Sequence, residues 1–294
     1  DVLYHAGDTK RLTSLQLGEV LSRNILNDER TVLLPSETID IGSRVIDIDE
    51  DFKNLGQISH SEGLLLQINN DKKIITAKQV KSNDWLLVSS ADLTGWELIF
   101  EGIKSDDPGF DIFQPQRFND YGLTGCLNIY GSKLDKVKIN VQGGKCEDGI
   151  NIISSNGSLN SISIKNAFAD AIDIDFSNIT IEFVNVNVSG NDCADLSGGT
   201  YSFSDVKLSM CGDKGISIGE KSTFIANKVE VNGAYIGVSS KDYSETVIRS
   251  AKLVDTEFCY EASKKKQEFG GAKLLFDSLS CKGNVLTDKH STIT

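Results

Sequence analysis

The stretch "GNDCADLSGG" at residues 190–199 sets two carboxylates, Asp192 and Asp195, three apart among small residues. Alone, such a pair is a turn, because Asp side chains hydrogen-bond to nearby backbone. This one has copies. "CEDGINIISSNG" (146–157) and "ADAIDIDFSN" (169–178) precede it, and "GDKGISIGEKS" (212–222) and "YIGVSSKDYS" (235–244) follow. Anchored on Gly149-Ile150, Ala171-Ile172, Cys193-Ala194, Gly215-Ile216 and Gly237-Val238, successive copies lie 22 residues apart. A constant period of this length marks stacked repeats, in which one unit cannot bury its apolar row alone.

Within each copy the apolar residues fall at spacing two: Ile150/Ile152, Ile172/Ile174, Ala194/Leu196, Ile216/Ile218. That is the strand period, so they share one face and Asn151, Asp173, Asp195 and Ser217 share the other. A second β-branched strand follows in each repeat: Ile162/Ile164, Val184/Val186, Val206/Leu208, Val229/Val231. Two or three short strands per 22 residues without a helix predict an all-β fold, a single right-handed parallel β-helix. Its boundaries are read as 30–285, with an inserted loop at 103–121 where "IKSDDPGFDIFQPQRFNDY" breaks the alternation, and a tail at 286–294. Weaker alternation at 31–49, 63–79 and 84–102 is read as earlier turns. Residues 1–29 form an N-terminal segment in which "KRLTSLQLGEVLSRNIL" (10–26) has helical spacing, a helical cap for the open end.

The chain of 294 residues carries a net charge of −12, which disfavours nucleic acid and anionic membranes as partners. No run of 18 apolar residues encodes a membrane span. The chain opens on Asp1 and no signal peptide is legible; a trimmed secreted protein or an excised fragment would both begin so. Six cysteines in this length do not make a disulfide framework, and no CxxC suggests zinc. Cys126, Cys193 and Cys259 share a column with Gly149, Ala171, Gly215 and Gly237, so they read as fillers of a small slot. Only Cys259 and Cys281, 22 apart, are expected to be bridgeable.

Stacking at 22 aligns Asp148, Asp170, Asp192 and Lys214 in one column, and Asn151, Asp173, Asp195, Ser217 and Ser239 in a second. A third holds Asp175, Ser197, Gly219 and Lys241, with Glu220 and Asp242 just after it. Like charges one rung apart repel. Three acidic rungs therefore need cations, neighbouring lysines, or a shared proton with a raised pKa. Either the aspartates cap turns, or they form a functional stripe running from acid to base on one exposed face. In the functional reading Asp170, Asp173, Asp175 and Asp195 suit Ca²⁺, a cation that favours oxygen ligands. Lys214, if depressed in pKa, or Lys241 suits a catalytic base, with Asp192 and Asp195 as catalytic carboxylates. Asp148, Asp213, Glu220, Lys221, Asp242, Lys265 and Glu268 would contact substrate. No organic cofactor is called for.

The set of strings "CEDGINII", "ADAIDIDFSN", "GNDCADLSGG", "DKGISIGEKS", "SSKDYS" and "KKKQEFGGA" resembles bacterial right-handed parallel β-helix surface proteins of the pectate-lyase-like superfamily. The resemblance covers residues 122–273; relatives of that kind are sometimes attached to lamin-tail-like or spore-coat-kinase-like modules, neither evident here. It implies an extracellular or cell-surface location and an acidic polysaccharide as partner. Similarity to β-helical pectinases, lyases and epimerases implies a lyase-type carbohydrate-active enzyme; the alternative is a non-catalytic glycan- or Ca-binding adhesion module. The polygalacturonase-type HG and RxK motifs are missing from the turns, and His5, His60 and His290 lie outside the repeats.

Overall fold

The computed structural model of the protein describes residues 44–45, 56–104, 117–119 and 121–294. They form an all-β solenoid of about nine turns, roughly 22 residues each, whose strands pair in parallel between turns. The capping helix expected at 10–26 and most of the loop expected at 103–121 lie outside the described residues.

Two ladders run along the solenoid. A short-strand flank takes, in succession, Leu86–Ser89, Gly125–Tyr130, Asp148–Ile153, Asp170–Asp175, Ala194–Ser197 and Lys214–Gly219. A long-strand flank takes Ile74–Lys78, Glu97–Glu101, Lys133–Gln142, Asn156–Ala167, Asn178–Ser189 and Thr200–Cys211. In the later turns Thr223–Lys241 and Glu245–Ser263 each run through both flanks. The register puts Ile150, Ile172, Ala194, Ile216 and Val238 in one stack, each fully buried, as the repeat predicts. The second stack, from Ile162 through Val184 and Val206 to Val229, is equally buried.

Two expectations about the ends change. Before Ile74 the pairing is antiparallel: Leu65–Asn69 and Ile74–Lys78 form a hairpin, and Gln57–His60 runs against Leu86–Ser89. Alternation alone cannot tell a hairpin arm from a solenoid strand, since both have period two. At the other end, pairing continues through Asn284–Thr287 to Thr292–Ile293, inside the stretch read as a tail.

Each turn closes at corners where one residue adopts a left-handed conformation. After the short strand these are Ser154, Phe176, Gly198, Glu220 and Asp242, with φ between 50° and 64°. Near the end of the long strand they are Asn166, Val188, Met210, Gly233 and Asp255. Most of these residues are not glycine, so the side chains there carry a conformational penalty that stacking must offset. A buried serine follows the first corner: Ser132, Ser155, Ser177, Ser222 and Ser244. Ser177 Oγ donates to Asp175 O (2.7 Å) and accepts from Ser155 N–H (3.0 Å); Ser155 Oγ donates to Ile153 O and accepts from Ser132 N–H. Each of these two hydroxyls satisfies a carbonyl of its own corner and an amide of the preceding turn. Gly199 interrupts the series, and there the Tyr201 hydroxyl donates to Ser197 O (2.7 Å) or Ile174 O (2.9 Å). A Cβ on Gly199 would lie 2.5 Å from that hydroxyl oxygen.

The cysteines overturn the small-slot reading. All six are paired: Cys126–Cys146, Cys193–Cys211 and Cys259–Cys281, with Cα separations of 5.4, 5.3 and 6.0 Å. The third follows the predicted column. The first joins the strand Gly125–Tyr130 to the stretch before Asp148, and the second joins the residue before Ala194–Ser197 to the last residue of Thr200–Cys211, contacts that a search along a single column does not reach.

Candidate functional site

The predicted columns share the short-strand flank. Asp170 pairs with Asp148, Asp173 with Asn151 and Asp195, and Asp195 with Ser217. The face is recessed, not openly exposed: Asp148, Asp175, Asp192 and Lys241 are buried, and Asp170, Asp173, Asp195, Asp213, Lys214 and Glu220 half-buried.

The first column behaves as a chain of caps. Asp170 Oδ1 accepts from Asp192 N–H (2.7 Å) and from Asn191 Nδ2 (2.6 Å). Asp192 Oδ1 accepts from Lys214 N–H (2.9 Å), and the Lys214 ammonium reaches both Asp192 and Asp213. Each carboxylate thus holds the strand entry of the next turn. Asp173, in the second column, accepts only a long bond (3.3 Å) from Asn151 Nδ2, and no hydrogen bond from a described residue reaches the Asp175 or Asp195 carboxyl. Beside them, Asp148 Oδ2 and Asn151 Oδ1 are buried without a partner.

Burial together with like charge raises the carboxyl pKa values. Desolvation, then the charges of Asp192 and Asp195, push Asp170 up to about 7. Desolvation and Asp195 push Asp175 up to about 7, opposed by Lys266. Desolvation and Asp195 push Asp192 up to about 6, opposed by Lys214 and Lys241. Asp148 and Asp173 are raised strongly, by desolvation and then by Asp170 and Asp175 respectively. Raised carboxyl pKa values thus mark the acidic rungs, and lysines offset the charge at the other end.

Burial lowers the pKa of Lys214, but Asp192 and Asp213 outweigh it and the net shift is upward. That is the wrong direction for a general base. Lys241 differs. It is 7 % exposed, lies back across Gly219, and donates to Ser217 Oγ (2.6 Å). It makes no ion pair with a described residue.

A covering segment closes the basic end. Asp242, 1 % exposed, accepts from the N–H groups of Lys265 and Lys266 (2.7 and 2.8 Å), and Lys266 pairs with Glu220. Phe269 stands edge-on to Tyr243, and the Lys221 ammonium lies 5.7 Å from the Phe269 ring centroid. Asp242 is thus an anchor, while Lys265 and Glu268 are exposed on the segment. The serine series and Tyr201 were not singled out from the sequence, although serine at 132, 155, 177, 222 and 244 recurs at the repeat period. The expected calcium set, Asp170, Asp173, Asp175 and Asp195, does not form a cage: among the described residues no three acidic, histidine or cysteine side chains converge on one point.

Among known proteins, the chain matches no family model, no curated protein and no solved structure. What the architecture defines is a parallel β-solenoid with a carboxylate-to-lysine stripe along one flank. Among the described residues, no helix is long and apolar enough to cross a membrane.

Proposed function

We propose that the protein is an extracellular right-handed β-helix enzyme of the pectate-lyase-like type that cleaves an acidic polysaccharide by elimination. The hand follows the strong preference of parallel crossovers. Three disulfides favour an oxidising compartment. The observation that carries the proposal is the placement of the buried Lys241, which makes no ion pair with a described residue, on the same flank as Asp173, Asp175 and Asp195, carboxyls that the fold does not use as caps. Stability alone would place Asn or Ser there, and functional sites hold residues that stability would not choose.

The chemistry needs a base at the carbon beside the uronate carboxylate and neutralisation of that carboxylate as charge moves onto it. Lys241 acts as the base and takes the proton; the bond to the leaving oxygen breaks and a carbon–carbon double bond forms. Asp175, kept protonated by burial and the neighbouring charge of Asp195, supplies a proton to the leaving oxygen, and Lys214, fixed by Asp192 and Asp213, faces the uronate as a permanent cation. The test is incubation with a panel of uronate polymers, following the ultraviolet absorbance of the unsaturated product. Lys241→Met and Asp195→Asn should each abolish turnover with Tm nearly unchanged. Undiminished product from Lys241→Met, or no unsaturated product from any uronate polymer, sinks the lyase reading.

A further inference from the structure

The flank that carries the stripe is not open along its length. Its middle outward row runs Asn128, Asn151, Asp173, Asp195, Ser217, Ser239, and of these six only Asp173 and Asp195 reach solvent; the others are buried. In the neighbouring column Asp170 and Lys214 are half-buried, while Asp148 and Ile236 beyond them are buried. The opening therefore spans three turns, about 10 Å along the axis by the strand spacing, the reach of about two sugar rings. Its margins are built. At the acidic end Tyr130 and Ile153, successive in the row that Asp175 continues, pack outside the main core with Trp85, Leu123 and Tyr121. At the basic end Lys241 lies back across Gly219 to Ser217 Oγ (2.6 Å), and Glu261 accepts from Ser239 Oγ and Ser263 Oγ (2.5 and 2.8 Å). Along the first corner the Phe176 ring lies against Gly198, where a Cβ would meet it at 2.7 Å, and residues 264–270 bring Lys266 back to Glu220. That segment is extra chain: Glu245 pairs with Lys273, 28 residues on, whereas the step from Thr223 to Glu245 is 22. The fourth side opens at Asn191, which is exposed and donates from Nδ2 to Asp170 Oδ1 (2.6 Å).

We propose that the stripe is an end-on pocket: it takes the terminal one or two sugars of an acidic polysaccharide through the Asn191 side and releases them from the chain end, without cutting inside the chain. This specificity rests on the elimination reading of the same site. A polymer lying along the flank would have to displace the Tyr130–Ile153 cluster at one end and the Lys241 and Glu261 contacts at the other. One crossing the flank would run into Phe176 and the 264–270 segment. A free chain end displaces none of these, and its ordering cost is confined to the one or two rings that enter.

The test incubates the full chain with polygalacturonate, alginate and hyaluronate, following ultraviolet absorbance, viscosity and product size together. Absorbance should rise while viscosity holds, with unsaturated mono- and disaccharides as the products from the first time points. Shortening the same mass of polymer so that chain ends increase tenfold should raise the subsaturating rate about tenfold, because that rate is kcat/KM multiplied by the concentration of ends. A rapid fall in viscosity with long unsaturated fragments overturns the end-on pocket and leaves the elimination reading standing. If no unsaturated product forms from any polymer, it is the elimination reading that fails, and the pocket is then judged by calorimetric titration with saturated galacturonate di-, tri- and hexasaccharides. Affinity that stops rising at the second or third sugar supports the pocket; affinity that climbs to the hexasaccharide, or no binding at all, overturns it.

Discussion

Asp170 and Asp175 lie on one strand, and their carboxyls have different surroundings. Asp170 caps the next turn, whereas no hydrogen bond from a described residue reaches the Asp175 carboxyl. Burial and Asp195 hold the Asp175 pKa at about 7, against 3.8 ordinarily. Below pH 4 the group is protonated in the folded and unfolded chain alike, and the contribution is fully present. As pH rises from about 4 to about 7 the unfolded chain gives up a proton that the fold retains, so stability falls. Asp175→Asn should therefore raise the urea midpoint at pH 8, by a gain on the order of a few kcal/mol, and leave it unchanged at pH 4. A loss at pH 8 would mean the carboxylate is structural. That these aspartates share a flank was legible from the 22-residue period. Which of them cap was not, because capping depends on whether a side chain turns toward the next turn's N–H, and residue type does not encode that.

A corner of the solenoid needs a left-handed residue and an internal donor for the carbonyl it strands. Serine supplies the donor in most turns and Tyr201 replaces it where Gly199 leaves no hydroxyl. Tyr201→Phe should cost roughly 1–3 kcal/mol, the penalty for a buried carbonyl left without its donor. Chemical denaturation checks this, and a neutral result would show that the carbonyl finds water instead. The strands themselves were plain in the sequence, because alternation and period agree over five copies. The antiparallel entry at residues 57–78 was not, since its alternation is identical to that of a stacked strand. Nor were the pairs Cys126–Cys146 and Cys193–Cys211, whose separations of 20 and 18 residues place them in no single column of the repeat.

Over the whole molecule, the three disulfides close loops of 20, 18 and 22 residues at well-spaced points along the stack. By loop-closure entropy each is worth about 3 kcal/mol, so reduction should lower Tm in steps as the bonds open, and peptide mapping should recover these three pairs and no others. Recovery of a Cys126–Cys193 link would overturn the register. The constant stacking offset also has a kinetic meaning. Between residues 148 and 263 each strand pairs with one 22 or 23 residues away in a chain of 294, a separation of about 0.07 of the length. That is the range of helical bundles, not of β-sandwiches. The chain meets its partners in the order in which it is made, each finished turn serving as the template for the next. The exception is the step from Leu86 to Leu127 and from Glu97 to Lys138, where 41 residues must be spanned before pairing resumes. Propagation should pause at that one place, and run freely on either side of it.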